Sequence, residues 1–181
     1  DVPFGAPFRP TPFRLAFQIR FGSTLVNFER PIEYRYGDDL FAGEKRAALK
    51  VVPKLTVTLT PTTAVIPLHA RTLEFRATVT NADLGISTGD VTLDLPAGWT
   101  STPEASRVRF TREDESTVVR FLVSPDDAPT GKYRISAGVE SQGLRFNHGF
   151  QTIEYPHTER RHLVRPAEAN IAMLNIQMAS D

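Results

Sequence analysis

The sequence predicts an all-β chain: an antiparallel immunoglobulin-like β-sandwich with an additional β-hairpin, or partial β-domain, at its N-terminus. Three observations lead there. Apolar and polar residues alternate with period two along most of the chain, the mark of strands with one buried face. Clusters rich in proline and small polar residues interrupt the alternation, and most of the 14 prolines and 11 glycines sit in those breaks, where a missing ladder N–H or a positive φ costs least. No stretch on the order of a dozen residues carries a convincing 3.6-residue period.

Taken in order, Phe13, Leu15, Phe17, Ile19 and Phe21 alternate with Arg14, Ala16, Gln18 and Arg20. After Gly22-Ser23 the apolar face continues through Val26, Phe28, Ile32, Tyr34 and Tyr36, interrupted by Arg30 and Pro31. This predicts a long aromatic hairpin, then a polar linker from Gly37 to Arg46. Two strands cannot bury that many aromatics alone. The hairpin must pack on the C-terminal segment, on the sandwich or on something outside the chain, and an incomplete neighbouring domain is the expectation.

From Lys54 the alternation is clean. Leu55, Val57 and Leu59 share one face and Thr56, Thr58 and Thr60 the other. The apolar sets Leu73, Phe75, Ala77, Val79; Val91, Leu93, Leu95; Val108, Phe110; Val119, Phe121, Val123; and Tyr133, Ile135, Ala137, Val139 follow. Turn clusters separate them: Pro61-Thr62-Thr63, Asn81-Ala82-Asp83, Pro96-Ala97-Gly98 and Pro125-Asp126-Asp127-Ala128-Pro129. Several short strands with one apolar face each, within about a hundred residues, read as a sandwich. Its core is expected to hold Leu55, Val57, Phe75, Val79, Leu93, Val119, Phe121, Ile135 and Val139. Beyond it, Leu144, Phe146, His148 and Phe150 alternate, and Ala172, Leu174, Ile176 and Met178 form a last strand with Ile171 and Met173 on its other face. The expected organisation is a hairpin region over residues 1–50, the sandwich over 51–141, and C-terminal strands with an inter-domain linker over 142–181. An opening Asp1 suggests a mature end or an excised piece, and an apolar final strand suggests a cut at a domain junction.

Composition bounds the function. Lys plus Arg number 21 and Asp plus Glu number 21, a net charge of zero, which argues against nucleic acid or an anionic membrane as the main partner. With no cysteine there is no disulfide framework, thiolate ligand or thiol nucleophile. No run reaches the roughly 18 apolar residues of a membrane span. Zero cysteine is compatible with the cytosol and with a bacterial exterior alike.

The stretch YPHTERRH, residues 155–162, gathers His157, Glu159 and His162 beside Arg160 and Arg161. A helical zinc pair needs histidines four apart so that both rings share a face. His157 and His162 are five apart, and Pro156 and Pro166 bracket the segment, which suits an extended loop. The two arginines add positive charge, which disfavours a cation. The segment is expected to be a polar loop or inter-domain contact with no metal, cofactor or catalytic centre. Trp99, after Pro96-Ala97-Gly98, either stacks on a sugar or plugs the end of the sandwich; the absence of companion aromatics favours plugging. Tyr133, after Pro129 and Gly131, has the setting of a tyrosine corner, whose hydroxyl bonds upstream backbone. His69 and His148 stand in isolation, and neither a Gly-x-Ser-x-Gly elbow nor a glycine-rich phosphate loop occurs.

The strings FRATVTNAD (75–83), LDLPAGWTSTP (93–103) and SPDDAPTGKYRISA (124–137) resemble the NEW3 domain, an immunoglobulin-like module often appended to bacterial glycoside hydrolases. The match runs over roughly residues 54–140 in the expected order. The flanks PIEYRYGDDLFAGEKRAALKVVP (31–53) and GFQTIEYPHTERRHLVRPAEANI (149–171) resemble segments of large bacterial PIG-L/LmbE-type proteins, in which such sandwiches follow a zinc-dependent N-acetyl-sugar deacetylase domain. The resemblance implies a bacterial, extracytoplasmic accessory module whose partners are neighbouring domains of the parent. The family's zinc site uses a His-Pro-Asp-Asp string and a later His-x-x-His. Neither occurs here, since Asp38-Asp39 and Asp126-Asp127 lack a preceding histidine, so no catalytic residue carries over. The alternative is a carbohydrate-binding module recruiting the parent enzyme to a glycan, with Trp99 as its platform.

Overall fold

The computed structural model describes residues 11–36, 43–67, 72–126, 128–153, 155 and 161–175, and every regular element among them is a β-strand. Among the described residues no helix is long and apolar enough to cross a membrane. The chain is an all-β protein built on an immunoglobulin-like sandwich. It divides into two compact units: Asp1–Val52 with Thr152–His162, and Pro53–Gln151 with Leu163–Asp181.

The first unit holds two hairpins. β1 (Arg14–Phe21) pairs with β2 (Thr24–Pro31) across the Gly22-Ser23 turn, where Gly22 adopts φ 62°, a conformation open to glycine without strain. The register sets Phe17 opposite Phe28 and Ile19 opposite Val26, and the two phenyl rings stack at 5.3 Å. Arg14 and Glu29 pair at 3.0 Å on the polar side. The aromatic run does not continue as one hairpin. β3 (Glu33–Tyr36) pairs with β4 (Lys45–Ala48), which the sequence assigns in part to a linker. The break falls where β1 runs out: Arg14 is opposite Pro31, and the ladder ends one step further on, at Phe13 and Ile32. There the Ile32 N–H donates to the Phe13 carbonyl, and the Ile32 carbonyl accepts from the Leu49 N–H, which joins the hairpins end to end.

The second unit is the sandwich. β5 (Leu55–Thr60), β6 (Thr63–Pro67), β7 (Leu73–Asn81), β8 (Ser87–Asp94), β9 (Thr100–Thr102), β10 (Ala105–Phe110), β11 (Ser116–Ser124), β12 (Gly131–Ser141) and β13 (Leu144–Phe146) lead to a ribbon of β14 (His148–Ile153) and β15 (Arg161–Pro166), and to β16 (Glu168–Leu174). One sheet has the order β5-β7-β11-β9, the other β10-β8-β12-β16-β6 with β13 also on β12. Period-two alternation works as expected: Leu55, Val57, Phe75, Val79, Val119, Phe121, Ile135 and Val139 are all buried, and Leu93 is half-buried against them. Their removal from water is the main stabilising term, on the order of 1.5–3 kcal/mol for each fully buried large apolar side chain.

Three features depart from the expected pattern. After Pro61 the chain leaves the four-stranded sheet and adds β6 to the opposite one, parallel to β16. The sequence reading places Thr63 in a turn and misses this five-residue strand, because prolines stand at both ends of it. The C-terminal segment joins the sandwich: β16 pairs with β12 from Ser136↔Glu168 to Gly131↔Met173. Its buried face is Ala169, Ile171 and Met173, whereas Ala172 and Leu174, read as the main apolar set, point outward. Ile176 and Met178 lie outside the described residues. Finally, β13 and β16 follow one another along β12, so together they form one interrupted strand. The ribbon leaves it after Phe146 and returns at Ala167, whose N–H bonds the Asn147 carbonyl at 2.9 Å.

Candidate functional site

Of YPHTERRH only Tyr155, Arg161 and His162 are among the described residues. His157, Glu159 and Arg160 lie outside the described residues; Arg161 opens β15, and His162, next to it, is half-buried. The segment expected to be an extended loop therefore becomes a strand at its C-terminal end. Among the described residues no group of three or more His, Asp or Glu side chains is placed to hold a metal ion. His69 also lies outside them, and His148 is exposed, its Nδ1 2.7 Å from Oδ1 of Asn147.

Trp99 lies inside the fold, 6% exposed, its ring 5.1 Å from that of Tyr133. It closes the end of the sandwich, as the lack of other aromatics near it in sequence suggests, and offers no exposed platform for a sugar. The Tyr133 hydroxyl donates to the Pro129 carbonyl at 2.8 Å, the tyrosine-corner bond expected from its setting. Trp and Tyr thus lock the loop before β12 against the loop after β8.

The opposite end is fastened by Asn81, which is fully buried. Its Nδ2 donates to the Asp83 and Arg112 carbonyls at 2.8 and 2.9 Å, and its backbone bonds Glu115 and Asp114, so one side chain ties two loops. Beside it Asp83 pairs with Lys54 at 3.0 Å, and that bond, helped by the Gly85 N–H, holds the Asp83 carboxyl below the ordinary range. Glu115 is held low in the same sense by the Thr111 N–H.

One polar cluster escapes a linear reading. On the outer face of the larger sheet, Asp94 accepts from Ser136 Oγ at 2.9 Å and from Arg145 Nη2 at 2.7 Å, while Arg145 Nη1 reaches Thr92 Oγ1 at 3.1 Å. The guanidinium lies flat over Gly138, where a Cβ would sit 2.7 Å from its central carbon. These residues come from three strands and are far apart in sequence, so no local motif announces them. Asp94 and Ser136 are in hydrogen-bond contact, but among the described residues no histidine completes a relay at this cluster, and Arg145 engages the carboxylate. The geometry is that of a cross-strand clamp.

No protein-family model matches the chain, and no curated protein sequence matches it. Solved structures show a partial likeness to it. The apo form of the Calx CBD1 domain is 12% identical with a TM-score of 0.38, over 67% of this chain and 97% of that one. The periplasmic chaperone SfaE is 12% identical with a TM-score of 0.33, over 65% of this chain and 56% of that one.

Proposed function

We propose that the chain is a non-catalytic β-sandwich module that packs or positions neighbouring domains of a larger extracytoplasmic bacterial protein of the PIG-L/LmbE deacetylase type. The observation that carries this reading is the apolar face of the β1–β2 hairpin. Leu15, Phe17, Ile19, Phe21 and Phe28 are all substantially exposed, Phe21 at 64%. The first unit buries little to offset this, since Ala47 is its only buried apolar side chain among the described residues. An aromatic strip of this kind marks a contact surface. The resemblance of residues 31–53 and 149–171 to that family supports the choice of parent. The glycan-binding alternative is weaker, because Trp99, its best platform, is enclosed.

Charging the strip tests the reading. Leu15→Lys and Phe21→Glu should leave this chain's own unfolding free energy within about 0.5 kcal/mol, as exposed positions do. In the larger protein the same pair should lower the unfolding midpoint. A loss above roughly 1.5 kcal/mol in the isolated chain would mean that the strip is covered within it, and the reading would fail.

A further inference from the structure

Among the described residues, the edge strands β10, β9 and β5 and the side strand β13 each carry a feature that discourages pairing, and β6 does not. β10 carries Arg107 and Arg109 along its length, which would meet like charges in a self-paired edge. β9 and β13 are three residues long, and β9 runs into Pro103. β5 is covered by β14: an added Cβ at Gly149 would lie 2.7 Å from the Val57 carbonyl oxygen, so the two backbones are in contact. Among the described residues nothing of this kind protects β6. Its sequence, TAVIP, has no charged residue, and Val65 at its centre is 61% exposed.

The parallel ladder defines what this edge offers. The Asn170 N–H donates to the Thr62 carbonyl, so even-numbered groups of β6 point toward β16. Thr63 and Val65 therefore direct N–H and C=O outward, and Pro67 directs only its carbonyl. Such an edge fits an extended strand and no other element.

We propose that the β6 edge pairs antiparallel with the β6 edge of a second copy of this chain, about a two-fold axis at Val65. The two Val65 residues then exchange both of their N–H···O bonds, and each Thr63 N–H reaches the Pro67 carbonyl of the other copy. Pro67 lacks an N–H, so each Thr63–Pro67 pair carries a single bond and the ladder stays short. No charges oppose one another across the seam, and valine meets valine, a favourable cross-strand pair. The six-stranded sheet thereby becomes continuous through the dimer. This inference stands apart from the module reading, which concerns the hairpin of the other unit.

The test is sedimentation equilibrium of the whole chain from micromolar to about 1 mM, with amide hydrogen exchange at both extremes. The expected result is a reversible monomer–dimer equilibrium, with the Thr63 and Val65 amides exchanging at least about tenfold more slowly at high concentration. Val65→Pro, which removes the central donor, should abolish association while its circular dichroism and cooperative melt remain. Val118→Lys, an exposed valine on the outer face of the other sheet, serves as control and should dimerise like the parent. A chain that stays monomeric at 1 mM overturns the proposal. So does a dimer that survives Val65→Pro, as one built on the hairpin would, or that forms without protecting those two amides. If Val65→Pro fails to fold, Val65→Lys takes its place and must lower the association constant at least tenfold.

Discussion

At Gly149 the backbone of β14 comes so close to β5 that no side chain fits between them. An added Cβ would stand 2.5 Å from Thr58 Cγ2 and 2.7 Å from the Val57 carbonyl oxygen, and the second obstacle is backbone that cannot rotate away. Gly149→Val should therefore destabilise the sandwich by roughly 1–3 kcal/mol through overpacking. Gly85→Ala is the matched control: nothing lies within 4 Å of its Cβ position, and the effect should stay within about 0.5 kcal/mol. Urea melts of both variants decide the point, and equal midpoints would mean that β14 can move off β5. The glycine is visible in the sequence, but its reason is not, because Val57 and Thr58 lie about ninety residues away in the chain.

At the scale of the element, alternation carries the argument. On β7, Phe75, Ala77 and Val79 are buried while Glu74 and Arg76, which flank Phe75, face outward and pair with each other at 2.7 Å. Phe75 lies opposite Phe121 on β11, and both are almost completely enclosed. Phe75→Ala should cost roughly 3–5 kcal/mol, the lost transfer energy plus the cavity left in a wall that cannot collapse. A chevron or equilibrium melt giving less than about 1 kcal/mol would show that the strand's inward face is misassigned. β16 shows where alternation alone misleads. Ile171 and Met173 compete with Ala172 and Leu174, and both sets are apolar. Glu168 and Asn170 share parity with the second set, and that polar pair is the local signal that places it outward.

For the whole molecule, the question left by YPHTERRH is chemical. A zinc hydrolase needs about three protein ligands, an open position for water and a general base. Local supply in this stretch is His157, His162 and Glu159, with Glu159 needed as both ligand and base, and Arg160 and Arg161 set positive charge beside them. Of the stretch, Arg161 and His162 are described and open β15, while His157 and Glu159 lie outside the described residues. The metal-free chain should show no stoichiometric zinc binding at micromolar affinity or better by calorimetric titration. Tight binding that disappears in the His157→Ala, His162→Ala double variant would establish a metal site and defeat the non-catalytic reading. Weak binding unaffected by the variant agrees with it.

The sequence by itself determined the fold class, most of the strand faces and the two aromatic locks. Each of these is written locally: period two selects a face, proline-rich clusters end a strand, and Tyr133 needs only Pro129 four residues before it for its bond. Tertiary structure alone decided the rest. It placed β6 on the sheet opposite β5, chose the buried parity of β16, split one strand into β13 and β16 around a ribbon, and assembled Asp94, Ser136 and Arg145 into a clamp. Pairing between strands distant in sequence depends on which edges remain open once the core closes, and no short window of residues contains that information.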